Sequence, residues 1–300
     1  MSRLCSATPH QARTDLVFIN GRKMAASQAT ISVFDHAFLY GDSVFETIKS
    51  YQGFLFALDA HLQRLERSSK HVHLQIPVSR RTLTGWIAKA IAPLGKTDAR
   101  VRVMITRGVG PIGLDISRCQ NPQVLVFAQQ LVLSNKQGQA RGISTIIART
   151  RKTPSQTLHS QIKSGNYLFS KLAYAEGQPH GAAEVILLNY RGNVSEGSTS
   201  NIFLIRGNRL ITPSLDSDCL DGITRKVVLK LGRDLKFRCE QRPVKPKELF
   251  TADEVFFTGT IREICPVASI DGKKIKKPKF PMVPVLQKAF RNYVNSLTPC

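Results

Sequence analysis

Between Gln161 and Asn201 the chain carries an amine, a phenol and a carboxylate that could share one reaction. Lys163 stands in a run from Leu158 to Tyr174 that is otherwise uncharged apart from Lys171, and it opens onto an apolar segment. A lysine partly desolvated and near another cation gives up its proton more readily and becomes a nucleophile able to form a Schiff base. Tyr167 shares the expected helix start with it. Glu196 comes just after an apolar strand, in Ser195-Glu196-Gly197-Ser198, whose small residues let a flat ring approach. A carboxylate there can hold a pyridine nitrogen protonated and make the ring an electron sink.

An anionic group on such a ring needs donors. Leu220-Asp221-Gly222-Ile223-Thr224-Arg225 puts a glycine turn at a helix start, where free N–H groups and the helix dipole favour an anion. Thr258-Gly259-Thr260 offers a second cluster of amides and hydroxyls, and Arg64 a fixed positive fork. Together these are the parts of a pyridoxal 5'-phosphate (PLP) site. Taken singly, each has a plainer reading: a solvated lysine, a turn acid, a helix cap, a turn and a surface arginine.

The elements that must position these groups can be read from the pattern. Leu16 to Ile19 is a short strand ended by Asn20-Gly21, the dipeptide best suited to a tight hairpin. Val44 to Ile48 alternates as a strand, and Gln52-Gly53 turns it into Phe54-Leu-Phe56. Leu58 to Val72 and Ser79 to Leu94 are expected helices, with Ser79 as N-cap of the second. Strands follow at Val101 to Thr106, Val124 to Ala128 and Ile143 to Ala148. A helix is expected from Ser164 to Glu176, and Val185 to Leu188 reads as a fully buried strand. Asn201 to Ile205 and Arg209 to Ile211 form a hairpin over Gly207-Asn208, and helices at Ile223 to Leu231 and Val283 to Val294 flank a strand at Val255 to Phe257. Hairpins mixed with αβ units argue for α+β or mixed α/β layers. The polar stretch within 133–141 divides a smaller N-terminal domain, 1–132, from a larger C-terminal one, 142–300.

Composition narrows the setting. The 42% apolar and 21% charged residues are ordinary for a globular protein, and 300 residues suit two subdomains. No apolar run is long enough to span a bilayer. The first fifteen residues lack the apolar centre of a secretory signal and read as a frayed start of a cytoplasmic protein. The six cysteines are scattered without a CxxC pair, which suits reduced thiols and gives a metal site no support. With 43 Lys+Arg against 21 Asp+Glu the net charge is +22, which keeps a nucleic-acid-binding protein in view as the reading of a different class. The basic residues are spread out, however, apart from the run at 273–279. No finger spacing or RNP-like motif accompanies them, so a solvated basic surface is the preferred reading.

Over roughly Leu16 to Val294 the chain resembles the class IV PLP-dependent aminotransferases, of D-amino acid and branched-chain type. The resemblance runs through Phe18-Ile-Asn-Gly21, Tyr40-Gly-Asp-Ser-Val-Phe-Glu46, His61-Leu-Gln-Arg64-Leu65, Thr106-Arg-Gly108 and Lys163-Ser-Gly-Asn-Tyr167-Leu168. It continues through Ser195-Glu196-Gly197, Asn201-Ile-Phe203, Gly222-Ile-Thr-Arg225 and Thr258-Gly-Thr260. It implies a two-domain fold type IV protein, with a small N-terminal α/β domain, a larger C-terminal domain, PLP in the cleft between them, and a homodimer. It further implies Lys163 as the Schiff-base lysine and proton shuttle, Glu196 on the pyridine nitrogen and Tyr167 on the ring hydroxyl. Arg64, Ile223, Thr224 and Thr260 match the phosphate cup. Tyr40, Phe45 and Arg102, with Thr260 and Ile261, match the substrate pocket.

Two positions depart from the branched-chain pattern. Lys49 replaces an arginine of the pocket wall, a swap that matters where a planar fork is used. Arg262 stands at a place usually small and adds charge near the pocket. The reaction implied is transamination of an L-branched-chain amino acid with 2-oxoglutarate, so the partners are an amino acid and a 2-oxo acid. Thr106 to Asp115 resembles the branched-chain group more than the D-amino acid group, whose members tend to carry Arg-x-His there. D-amino acid transamination and aminodeoxychorismate lyase, which uses the same lysine for elimination, are the rival readings.

Overall fold

The computed structural model describes residues 16–131, 142–275 and 281–298. The linker expected at 133–141, Lys276 to Lys279, Cys5 and Cys300 lie outside them.

Two sheets organise the described residues. The first is antiparallel and joins β1 (Leu16–Ile19), β2 (Arg22–Met24), β3 (Ser43–Tyr51), β4 (Phe54–Leu55), β5 (Ala99–Thr106) and β6 (Val124–Gln130) in the order β2-β1-β6-β5-β3-β4. The expected hairpin forms with Asn20 at φ 50° and Gly21 at φ 79°, the positive pair that a tight two-residue turn requires. Gly21 also lies against Trp86, where a Cβ would come within 2.4 Å of the indole. Three helices accompany this sheet: α1 (His36–Tyr40), α2 (Leu58–His71) and α3 (Arg80–Ile91). Ser79 caps α3 by accepting a hydrogen bond from Thr82 N at 3.1 Å. Leu62 and Leu65 of α2 and Leu83 and Ile87 of α3 bury their stripe with Ile48, Val101 and Val103 of the sheet.

The second sheet mixes directions. Its strands are β7 (Ile143–Ile147), β8 (Glu184–Leu188), β9 (Val194–Gly197), β10 (Asn201–Arg206), β11 (Arg209–Thr212), β12 (Arg238–Gln241), β13 (Glu254–Gly259), β14 (Glu263–Ile270) and β15 (Lys273–Lys274). They run in the order β12-β11-β10-β13-β14-β7-β8-β9, with β15 on β14. The β7–β8 and β14–β7 pairs are parallel, and the apolar run Val185 to Leu188 of β8 is buried as expected, together with Glu184 at its start. Further helices are α4 (Leu168–Gly177), α5 (Ile223–Asp234), α6 (Pro246–Thr251) and α7 (Val283–Leu297). One face of the sheet packs Phe203 and Phe256 under Val228 of α5 and Leu286 and Phe290 of α7, and Phe56 from the first half of the chain joins this cluster. Ala173 of α4 packs on Val185 and Leu187 of β8.

One expected boundary moves. The helix expected from Ser164 begins only at Leu168, so Lys163 is not on a helix. Backbone pairing to β3 wins over helix propensity there. Phe45 N donates to Lys163 O at 2.9 Å and Gly165 N to Ser43 O at 2.8 Å, which holds 163–165 extended.

Candidate active site

A cavity of about 590 Å³ opens between the two sheets, within the usual size of a small-molecule site. The first sheet contributes Phe45 and Thr47 of β3 and Arg100 and Arg102 of β5, and alternation along each strand puts these pairs on one face. The opposite wall comes from the loop before α4, from β9, from the start of α5 and from the turn after β13.

Lys163 reaches this cavity from a backbone held on three sides. Besides the two bonds to β3, Lys163 N donates to Ser68 Oγ at 3.1 Å. Gly165 is required where the segment crosses β3, because a Cβ would meet Ser43 Oγ at 2.2 Å. From this anchor Lys163 Nζ donates to the Tyr167 hydroxyl at 3.1 Å and lies 4.4 Å from the centre of the Phe45 ring. Among the described residues no carboxylate lies within ion-pair distance of it. Tyr167 is set edge-on to Phe45, with ring centres 5.2 Å apart.

Glu196 projects from β9 and is 7% exposed. Its Oε2 accepts from Leu220 N at 2.9 Å and from Asn201 Nδ2 at 3.3 Å. Its Oε1 accepts from Lys152 Nζ at 2.6 Å. Burial pushes the Lys152 ammonium down, but the Glu196 carboxylate against it raises it above its ordinary value. Sequence reading missed Lys152, which sits in a loop after β7 among other basic residues and carries no local signal.

The other end of the cavity suits an anion. Helix α5 opens at Ile223 behind Gly222, with no side chain among the described residues capping it, and Gly222, Ile223 and Thr224 of this helix start line the cavity. Gly222 packs tightly, since a Cβ there would come within 2.0 Å of Asn201 Oδ1. Arg64 of α2 lies beside this terminus and donates from Nη1 to Asp221 O at 3.2 Å. Its Nε and Nη2 engage both oxygens of buried Glu46 at 2.6 and 2.9 Å, and His61 Nδ1 meets the same carboxylate at 2.7 Å. Burial alone would push the Glu46 carboxyl up, yet the Arg64 charge and the hydrogen bonds from His61 and Arg64 hold it at about 2. Burial holds His61 below its ordinary value. Thr260 completes this end, beside Thr258, whose buried Oγ1 has no hydrogen-bond partner among the described residues.

Of the remaining residues expected at the substrate end, Phe45, Arg102, Thr260 and Ile261 line the cavity. The Arg102 guanidinium lies 3.7 Å from the centre of the Phe45 ring and has no carboxylate partner among the described residues. Burial shifts it below its ordinary value. Tyr40 does not line this cavity. It is 38% exposed, its hydroxyl accepts from Gly113 N at 2.9 Å, and Phe34, Phe38, Ile112 and Leu114 are exposed on the same two segments.

The two departures resolve differently from expectation. Lys49 is no part of the cavity wall: its Nζ meets Glu263 Oε1 at 2.6 Å, and the Tyr51 hydroxyl donates to the same oxygen at 2.8 Å. It therefore joins the two sheets. Arg262 does reach the lining, but its Nη2 donates to Ala183 O and its Nε lies 3.8 Å from Glu184 Oε2, so its charge is directed into the wall. Glu184, wholly buried, accepts from Ser198 N at 2.9 Å, Thr199 Oγ1 at 3.0 Å and Ser200 Oγ at 2.8 Å, as well as from the Ser198 hydroxyl. It shapes the loop between Glu196 and Asn201, a task that only the folded sheet makes visible.

These residues fit PLP. An uncapped helix start with an arginine and an orphaned threonine hydroxyl suits a phosphate, and a buried carboxylate opposite suits a ring nitrogen. An amine without an acidic partner among the described residues stands beside a phenol, as an aldehyde and ring hydroxyl require.

The sequence matches the family described as Amino-transferase class IV over residues 43–270. It is 38% identical over 259 residues to a Methanocaldococcus jannaschii protein named "Putative branched-chain-amino-acid aminotransferase", covering 86% of this chain and 89% of that one. It is 34% identical over 258 residues to the aminodeoxychorismate lyase of Bacillus subtilis, covering 85% and 87%. The fold is similar to the crystal structure of the T.th. branched-chain amino acid aminotransferase with pyridoxamine 5'-phosphate, at a TM-score of 0.88, 30% identity and 95% coverage of both chains.

Proposed function

The chain belongs to the class IV aminotransferases, enzymes that use PLP, and from that membership we propose that it transfers the amino group of an L-branched-chain amino acid to 2-oxoglutarate. The observation that carries the reading is the cavity with Lys163 between Tyr167 and Phe45, Glu196 at one end and Arg64 with the α5 terminus at the other.

Arg64, Ile223, Thr224 and Thr260 would hold the phosphate, Tyr167 the ring hydroxyl and Glu196 the ring nitrogen, with Lys163 as the covalent anchor. Bound there, the cofactor supplies an electron sink for the electron pair left when a Cα proton departs. The chain's own work is to move that proton. Lys163 Nζ would remove the proton from Cα as general base and return one as general acid. The Tyr167 hydroxyl keeps the amine oriented between these tasks. Phe45 and Ile261 would pack against an aliphatic side chain, and Arg102, free of any carboxylate among the described residues, would take an acid group of the substrate.

Three further readings accompany this one. The sheets of 16–130 and 143–274 support a small N-terminal and a larger C-terminal domain. The exposed apolar side chains Phe34, Phe38, Ile112 and Leu114 support a homodimer, in which Tyr40 reaches a substrate only in the neighbouring copy's pocket. The free thiols Cys119, Cys219, Cys239 and Cys265 suit a reducing cytoplasm.

Purified protein tests the activity directly. Borohydride reduction followed by peptide mass analysis is expected to place the cofactor on Lys163, and Lys163→Ala is expected to abolish both the label and oxo-acid formation from L-leucine. Turnover of D-alanine or aminodeoxychorismate without turnover of L-leucine would overturn the substrate assignment.

A further inference from the structure

We propose that Lys152 is a positioning residue: its ammonium is the fixed counter-charge that keeps Glu196 a carboxylate toward the cofactor's ring nitrogen, so that the proton between them resides on the nitrogen. The inference rests on the proposed function and adds to it a residue that the reading does not use.

Glu196 has two oxygens, and the chain commits both. Oε2 is held by the Leu220 N–H and the Asn201 amide, donors that fix direction but carry no net charge. Oε1 is held by Lys152 Nζ at 2.6 Å, the one full positive charge within ion-pair distance of Glu196 among the described residues. A buried carboxylate without a counter-ion takes up a proton in preference to staying charged. Glu196 would then meet the ring nitrogen as an acid, and the nitrogen would be left neutral and a poorer electron sink. A cation in contact with the oxygen stabilises the carboxylate directly. A charge that stays on the carboxylate would in turn favour a proton on the ring nitrogen it meets, so the balance favours the charged pair.

The lysine's place is built. Lys152 N donates to Leu188 O at 2.9 Å at the end of β8, the strand paired with β9. Its side chain is 13% exposed and its ammonium lies 4.9 Å from the centre of the Phe169 ring. Two lysines thus face one cavity with different tasks. The one paired with Glu196 is held as an ammonium and does not compete for the aldehyde, whereas Lys163 has no such partner among the described residues.

The test reads the nitrogen itself. Wild type, Lys152→Arg, Lys152→Gln and Lys152→Met are loaded with PLP carrying ¹⁵N in the ring, and its resonance is recorded at one neutral pH. Glutamine keeps a donor for Oε1 and lacks the charge. The expected result is a pyridinium resonance in wild type and Lys152→Arg, and a shift by most of the pyridinium-to-pyridine difference in Lys152→Gln and Lys152→Met. An unmoved resonance in Lys152→Gln overturns the proposal whether or not the methionine variant folds, and so does a neutral nitrogen in wild type. Borohydride mapping of the same samples separates the two failures. A label on Lys163 with an unmoved nitrogen defeats only the role of Lys152, whereas wild type without that label defeats the proposed function as well.

Discussion

The two ends of the cavity solve one electrostatic problem in opposite signs. At the α5 end a cation, Arg64, faces the site and is backed by a buried carboxylate, Glu46. At the β9 end a carboxylate, Glu196, faces the site and is backed by a cation, Lys152. In both, a charge that would be costly alone is tolerated because its partner is fixed behind it. The pairs differ in rigidity. Glu46 engages Arg64 through two nitrogens, with His61 as a third contact, and none of its surface is exposed. The Lys152–Glu196 contact is single, and both residues line the cavity. The first pair is therefore a strut, and the second is placed to respond to what binds.

Breaking the strut should have the largest effect. Glu46→Gln leaves the Arg64 guanidinium buried without its counter-charge and is expected to destabilise the protein by about 3–5 kcal/mol in urea unfolding. The same pair sets an acid limit. The Glu46 carboxyl is held at about 2 against an ordinary 4.5, so its contribution is complete above about 4.5 and is lost as pH falls toward about 2. Unfolding midpoints measured across that range should fall more steeply with acid in wild type than in Glu46→Gln.

At the other end, Glu196→Gln is expected to keep the cofactor and lower kcat by ~10²-fold, through lost stabilisation of the ring charge. Near wild-type turnover would remove the contrast between the ends. A smaller effect is expected for Arg64→Lys, which keeps the charge but gives up the fork, and cofactor affinity should weaken by about tenfold in equilibrium dialysis. The smallest belongs to Lys49→Arg. Because Lys49 meets Glu263 outside the cavity, the ranking of amino acids by kcat/KM should not change. A reordered ranking would return Lys49 to the pocket wall.

What the sequence made legible follows from how local each signal is. The Asn20-Gly21 hairpin, the Ser79 cap and the buried β8 run are encoded within a few residues, and all of them form. Lys163, Tyr167, Glu196, Arg64, Ile223 and Thr224 sit in motifs that could be matched one by one, and they line one cavity. Lys152 meets Glu196 from a loop 44 residues earlier in the chain, and Glu184 meets Ser198 from 14 residues before it, so no local spacing announces either. Lys49 was misread for the same reason, its partner Glu263 lying on the other sheet. The late start of α4 reflects a contest that propensity cannot decide, because the competing hydrogen bonds come from β3.

The contact of Gly21 with Trp86 has a practical consequence. Trp86 is the chain's single tryptophan, and it is lodged under the β1–β2 hairpin instead of in the cavity. Indole fluorescence therefore watches the smaller half of the molecule, while the visible colour of a coenzyme held as proposed would watch the cleft. Heating the loaded enzyme with both signals recorded would tell whether the halves come apart in one event or in two.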